Sequence, residues 1–306
     1  IKVKSQLDEC KYDNGGYFII NGIEKVIVFQ ERCIDNKGLC FYQKNAKCKY
    51  MLELKSSLKN KFMPTKPLSI KLYAKDNMIN GNYIRISMPY FKQDIPLFIL
   101  FRALGIESDR EILEYILYDL DSEHSKHMMS ILRSSIFKAS PIYNQMSALR
   151  YISFFTKIKS VNAVMKILME DLFPHVGFKS LHKFKNKAYY LGHIVHKLIL
   201  VNEGVLKETD RDSFIYKRVD LSGFLLANLF RDGFKQFMRN CKIEIDKEHR
   251  YKEKQYKKNI YGVINKENFN NVFKSHIIEQ YFLKSFKIGN ILGKKGLIQA
   301  LTRLTS

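Results

Sequence analysis

Hydrophobic periodicity changes once along this chain, near Pro89, and that change decides what it can fold into. Before Pro89 the short period of strands prevails. Tyr17, Phe18, Ile19 and Ile20 precede Asn21-Gly22, and Val26, Ile27 and Val28 follow, which is the pattern of a tight hairpin. Leu68, Ile70 and Leu72, then Ile84, Ile86 and Met88 beyond Asn80-Gly81, predict a second strand pair. After Pro89 the period is that of helices. Asp94 is placed to cap a helix with Pro96 in its first turn, and Ser108 and Glu111 have capping-box spacing ahead of the stripe Ile112, Leu113, Ile116, Leu117 and Leu120. Further apolar stripes occupy residues 128–136, 161–173, 189–201 and 221–238, separated by Pro141, by Pro174-His175-Val176-Gly177 and by residues 202–204. Together these features predict an α+β fold.

Past Met238 the sequence turns polar and basic, with 15 Lys or Arg against 6 Asp or Glu over residues 235–295, and reads as a solvated insertion. A last short helix is expected around residues 267–286, ahead of the glycine-rich, basic residues 289–296. No internal repeat of 20 to 50 residues is visible, which argues against solenoids.

Charge narrows the partners. Lys plus Arg number 52 against 30 Asp plus Glu, a formal +22 that repels itself unless something anionic binds it. Nucleic acid is the first candidate and an anionic membrane surface the second. The longest apolar run, residues 95–101 interrupted by Pro96, is far short of the roughly 20 residues of a span. No secretory signal is visible in residues 1–10, and the absence of an initial Met leads us to expect a longer parent polypeptide. Cys10, Cys33, Cys40, Cys48 and Cys241 are odd in number and contain no Cys-x-x-Cys, so neither a zinc ribbon nor a disulfide framework is supported and reduced thiols are expected.

Several residue groups carry chemistry in principle. Asp210-Arg211-Asp212 resembles a carboxylate pair for a hard cation, but alternate acids beside Lys217 and Arg218 fit ion pairing at a domain junction better. His193 and His196 share a helix face near His175 and His182, with no Cys, Asp or Glu between residues 175 and 196 to complete a metal site. Ser306, Cys10 and Cys241 have no orienting His and Asp nearby in sequence to make them nucleophiles. Residues 37–75 carry ten lysines against Glu53 alone, an imbalance that points to nucleic acid or an acidic partner. Lys294 and Lys295 lie between Gly293 and Gly296, where glycines let the backbone approach a phosphate and two ammonium groups neutralise it. A helical turn over residues 297–302 would put Gln299 and Arg303 on one face and Leu297, Leu301 and Leu304 on another.

The string Gly15-Gly16-Tyr17-Phe18-Ile19-Ile20-Asn21-Gly22-Ile23-Glu24-Lys25-Val26, running on to Gln30-Glu31-Arg32, resembles the signature of the second-largest, beta-like subunit of multisubunit DNA-directed RNA polymerases. More segments resemble that subunit in the same order: Lys92-Gln93-Asp94-Ile95-Pro96 with Phe101-Arg102-Ala103-Leu104-Gly105, Leu172-Phe173-Pro174-His175-Val176, Asp210-Arg211-Asp212 with Lys217-Arg218-Val219-Asp220-Leu221, and Gln299-Ala300-Leu301-Thr302-Arg303. The last departs from the family pattern, with Ile298 for its Ser and Thr302 for its Asn.

The resemblance implies residues 1–32 as the end of the first half of a protrusion domain, 33–218 as a lobe of β-hairpins and helices, 219–275 as the second half of the protrusion and 276–306 as the start of a fork region. It also implies a nucleotidyltransferase assembly in which this segment is itself non-catalytic, forming a wall of the DNA cleft and bordering the RNA–DNA hybrid. Lys294, Lys295, Gln299 and Arg303 would line the hybrid's path. The implied partners are the other polymerase subunits, above all the largest, with template DNA and the hybrid. Magnesium would belong to the assembled enzyme, held outside this segment, and the setting would be intracellular, nuclear or cytoplasmic. A stand-alone basic module for nucleic acid or a transcription factor is the rival reading, and it needs stacking aromatics such as Tyr50, Phe62 or Tyr73 beside the lysines.

Overall fold

The computed structural model describes residues 12–13, 15–43, 48–58, 65–74, 81–177, 184–251, 263–291 and 293–302. The chain forms two compact units, one made of residues 1–32 with 218–306 and the other of residues 33–217. The fold is α+β, with strands and helices in both units.

The hairpin opens the first unit. Strand β1 (Phe18–Ile20) pairs antiparallel with β2 (Ile23–Ile27) around Asn21 and Gly22, both at positive φ as a primed two-residue turn requires. Strand β3 (Gln30–Cys33) then leads into the second unit.

There, β4 (Leu39–Tyr42), β5 (Cys48–Ser56), β6 (Lys66–Tyr73), β7 (Tyr83–Ser87) and β8 (Ile95–Pro96) form an antiparallel sheet in sequential order. Alternation fixes which face is inside: Leu52 and Leu54, Leu68, Ile70 and Leu72, and Ile84 and Ile86 are buried, while Lys71 and Arg85 stand between them on the other face. Against the apolar face pack helices α1 (Leu97–Ala103), α2 (Asp109–Leu117), α3 (Glu123–Ala139), α4 (Gln145–Ser153), α5 (Val161–Glu170) and α6 (Phe184–Asn202) into one core. Helix α1 is buried on every side, as an apolar helix must be at the centre of a layered domain. Gly192 lets α6 approach α2, because a Cβ there would lie 2.2 Å from the Tyr115 carbonyl oxygen.

The chain returns through β9 (Lys217–Asp220), which pairs with β3; the Arg32 guanidinium Nε donates to Asp220 at 2.7 Å within the first unit. Helix α7 (Ser222–Tyr251), the short α8 (Phe269–Val272), α9 (His276–Ile288) and β10 (Ile298–Ala300) complete the first unit. Its small core joins Leu225 and Leu229 of α7 to Phe286, Ile291, Leu297 and Ile298, with Phe18 edge-on to Phe286 at 5.0 Å.

Three local expectations are corrected. Asp94 does not cap α1: the N-cap is Pro96, and the Asp94 carboxylate instead takes Lys71 and the Tyr73 hydroxyl, each at 2.9 Å. Helix α7 runs on through the polar region to Tyr251, since an established helix propagates cheaply and Cys241 and the Glu244–Lys247 pair hold its second half. Residues 298–300 are a strand, described with the site below. The Asn80 half of the second turn lies outside the described residues, as does Cys10; Cys33, Cys40, Cys48 and Cys241 form no disulfide among the described residues. No described helix is long and apolar enough to cross a membrane.

Two buried cations bind carbonyls inside the second unit. Arg102 of α1, 1% exposed, donates to the Ala139 and Ile142 carbonyls near the end of α3 and to Asp109 of α2 at 2.5 Å. Lys187 of α6, fully buried, donates to the Leu168 and Met169 carbonyls at the end of α5, at 2.7 and 2.9 Å. Burial pulls the Lys187 ammonium down to about 8, against the pull of Asp171.

Arg102→Ala is expected to cost about 3 kcal/mol, because buried carbonyls lose their donor and packing is lost with it; urea unfolding of both proteins measures this. Between pH 8 and the ordinary lysine range, native Lys187 is deprotonated while the unfolded chain still holds the proton, so stability contributed by this site rises with pH. Unfolding free energies of the wild type and Lys187→Met across that window should diverge accordingly, and a constant difference would refute the assignment.

Candidate nucleic-acid interface

Turn chemistry sets the positions of Lys294 and Lys295. Ile291 and Lys294 bond each other's backbone in both directions, Lys294 N to Ile291 O at 2.9 Å and Ile291 N to Lys294 O at 3.2 Å, with Gly293 and Gly296 at positive φ. Buried Ile291 on one side and buried Leu297 and Ile298 on the other clamp this turn, so the two lysines stand outward, exposed. Neither pairs with a carboxylate among the described residues. This satisfies the requirement of a phosphate contact, an unpaired cation on a backbone that glycine leaves uncluttered.

Gln299 sits in β10, not in a helix. Ile298, Gln299 and Ala300 pair antiparallel with Ile27, Val26 and Lys25 of β2, and the Val28 amide donates to the Leu297 carbonyl at 2.8 Å. The free edge of β2 accounts for the outcome, since a helix here would leave those strand amides and carbonyls without partners. The proposed i, i+4 face of Gln299 and Arg303 therefore does not exist in this form. Gln299 is exposed and its amide donates to the Gly296 carbonyl at 3.0 Å; Arg303 lies outside the described residues. Thus three of the four candidates, Lys294, Lys295 and Gln299, fall on one turn and its following strand.

That strand completes the sheet begun by residues 18–27, so the first and last of the sequence motifs meet in one sheet, β1-β2-β10. Lys25 is not available for a ligand: its ammonium caps α9 by donating to the Phe286 and Lys287 carbonyls at 2.7 and 3.2 Å. Gly289 ends α9 at φ +82, where a Cβ would lie 2.7 Å from the Ile298 carbonyl oxygen.

The other candidate groups have structural partners. The Asp210 carboxylate accepts the Asp212 amide at 2.9 Å, and Arg211 reaches Glu53 at 3.3 Å and lies over the Phe41 ring. His175 Nδ1 and the Ser56 hydroxyl share a hydrogen bond at 2.7 Å, and burial with the nearby Lys187 charge lowers the His175 pKa. His193 bonds the Tyr118 hydroxyl at 3.0 Å, and His196, also lowered mainly by burial, meets the same ring edge-on. His182 and Ser306 lie outside the described residues. No three of His, Cys, Asp and Glu converge to hold a metal among the described residues.

Lysines of residues 37–75 are also partly spoken for. Lys66 pairs with Asp171 at 2.6 Å, Lys71 with Asp94, and Lys37 and Lys49 lie over the Tyr216 and Tyr50 rings. Lys44, Lys47, Lys59, Lys61 and Lys75 lie outside the described residues, as does Phe62. Tyr73 stacks on Tyr83 at 5.1 Å, with Lys138 over Tyr83, and Tyr50 meets Tyr42 edge-on. Burial works to raise the Asp94 carboxyl, yet hydrogen bonds from Lys71, Tyr73 and Ser87 hold it below the usual carboxylate range. Tyr50 and Tyr73 thus have ring partners within the protein.

Sequence reasoning passed over Lys284 and Lys287 of α9, both exposed and unpaired among the described residues. Their i, i+3 spacing on a short amphipathic helix was the available signal.

Residues 70–220 match the family described as RNA polymerase Rpb2, domain 2. Over 253 residues, 79% of this chain, it is 39% identical to the DNA-directed RNA polymerase II subunit 2 of Arabidopsis thaliana. Over 317 residues, 98% of this chain, it is 34% identical to the RPB2 subunit of Schizosaccharomyces pombe, and over 328 residues it is 30% identical to DNA-directed RNA polymerase subunit 2 of Acanthamoeba polyphaga mimivirus. The chain spans 21%, 24% and 25% of those proteins, respectively.

Gly289→Ala is expected to cost at least about 1 kcal/mol, from a left-handed φ plus the clash with Ile298. Amide exchange at Ile298, which donates to the Gly289 carbonyl at 3.2 Å, should accelerate in that variant while exchange within β6 is unchanged.

Proposed function

Because the chain belongs to the second-largest-subunit family of DNA-directed RNA polymerases, we propose that it forms part of the wall of a polymerase's DNA cleft and borders the RNA–DNA hybrid during transcription. The unit of residues 33–217 is read as the lobe, and the unit of residues 1–32 and 218–306 as protrusion with the start of the fork. The observation that carries the reading is the clamped turn whose exposed Lys294 and Lys295 are unpaired among the described residues, leading into Gln299 of the sheet that the Gly15–Val26 motif begins.

The segment's work is positional and electrostatic. Two ammonium groups neutralise phosphates without reading sequence, and the Gln299 amide, with donor and acceptor, can meet a sugar hydroxyl. Phosphoryl transfer, with its magnesium, is assigned to the rest of the assembly, and the largest subunit, template DNA and hybrid are the proposed partners. An intracellular setting, nuclear or cytoplasmic, follows from that assignment.

In the assembled polymerase, Lys294→Ala with Lys295→Ala should weaken nucleic-acid retention and flatten its salt dependence by close to two phosphates' worth, a change in log–log slope of about 1.8 on duplex. Arg303→Ala should weaken retention of short RNAs by about 1 to 1.5 kcal/mol. Unchanged retention and slope in the lysine variant, with intact assembly, would defeat the proposal.

A further inference from the structure

A groove of about 450 Å³ runs between α7 and α9 in the first unit. Its polar walls come from Gln236 and Asn240 of α7 and from Gln280 and Lys284 of α9, with Asn290 at one end and Tyr281 among the apolar residues beneath. Each pair is spaced i, i+4, so each helix presents two side chains to the same side. The helices lie close because position 233 of α7 is glycine, where a Cβ would sit 3.1 Å from the Tyr281 ring. A second, shallower hollow of about 370 Å³ shares Gln280 and Lys284 and adds Lys287, so the lysines continue past the groove. Among the described residues no Asp or Glu lines either hollow.

The four carboxamides, Gln236, Asn240, Gln280 and Asn290, make no side-chain hydrogen bond among the described residues, and Lys284 has no acidic partner there. Such groups on a surface need no partner of their own, but four of them around one ammonium have a shared chemistry. A carboxamide offers a donor and an acceptor in one plane, which matches the polar edge of a nucleobase. An ammonium matches a phosphate. Base edges are open to side chains in this way when the strand is unpaired, and the volume is within the range of small-ligand sites.

We propose that the α7–α9 groove holds unpaired nucleotides of a nucleic-acid strand, with Lys284 on the phosphate and Gln236, Asn240 and Gln280 at base edges. An acidic protein segment is the alternative occupant; it would use the lysines but leave the carboxamides without base edges to match. The inference extends the cleft reading above to a second site on the same unit, and the two fail separately.

The test uses the assembled polymerase on a bubble template with an RNA primer, each strand labelled. A benzophenone-bearing residue replaces exposed Gln280 in one enzyme and exposed Lys295 in another. Crosslinking from position 280 to an unpaired strand is expected, falling about fivefold or more when Lys284→Ala is added, while crosslinking from position 295 is unchanged. Asn240→Ala, on the opposite helix, should reduce the same crosslink and keeps the test independent of α9. Crosslinks from position 280 only to polypeptide or only to paired DNA, or a yield indifferent to both substitutions, would overturn the proposal. If position 295 is also silent toward nucleic acid, the cleft reading fails with it; if position 295 reacts and position 280 does not, only the groove assignment falls.

Discussion

Arg102 holds the larger unit together by an interaction that its charge makes expensive. A guanidinium 1% exposed is costly unless hydrogen-bonded, and here its two terminal nitrogens reach two backbone carbonyls near the end of α3 and the Asp109 carboxylate at the start of α2, while Nε has no hydrogen-bond partner among the described residues. Helix α1 is thereby fixed to both neighbours at once. Because α1 also lies against β7 and β8, the sheet's position depends on the same anchor. The Phe101-Arg102-Ala103-Leu104-Gly105 motif thus has an architectural cause at Arg102.

Similar use is made of other cations, which changes how the charge surplus should be understood. Lys25 caps α9, Lys187 caps α5 and Lys197 donates to the Gly38 carbonyl at 2.7 Å. Ion pairs occupy Lys66 and Lys71. Such lysines serve helix ends and loops as well as adding to the net charge. Among the described residues, the outward turn at Lys294 and Lys295 and the exposed side of α9 carry lysines without a carboxylate partner.

Much of this arrangement was legible in the chain itself. Asn21-Gly22 announced the first hairpin, alternating Leu68, Ile70 and Leu72 announced β6, and the apolar stripes located α2, α3, α5 and α6, because each signal comes from neighbours a few residues apart. Strands β4 and β10 gave no such signal. Their partners, β5 and β2, supply the reason to be extended, and for β10 that partner lies some 270 residues away in sequence. The same holds for the site: the glycines around Lys294 and Lys295 marked the turn, but its meeting with residues 23–27, and the convergence of Gln236 with Gln280, are tertiary facts.

Pairing of β3 with β9 has a consequence in polymer terms. The Ile34 amide donates to the Tyr216 carbonyl at 2.8 Å, so the inserted unit begins and ends at one hydrogen-bonded point. To the chain that carries it, the insert is a closed loop, and the entropy of closing a loop grows only with the logarithm of its length. Residues can therefore be added to or removed from its outer hairpins with little effect on the strands at its mouth. A host sheet built from residues 18–27 and 298–300 can keep its register while the inserted unit diverges in size.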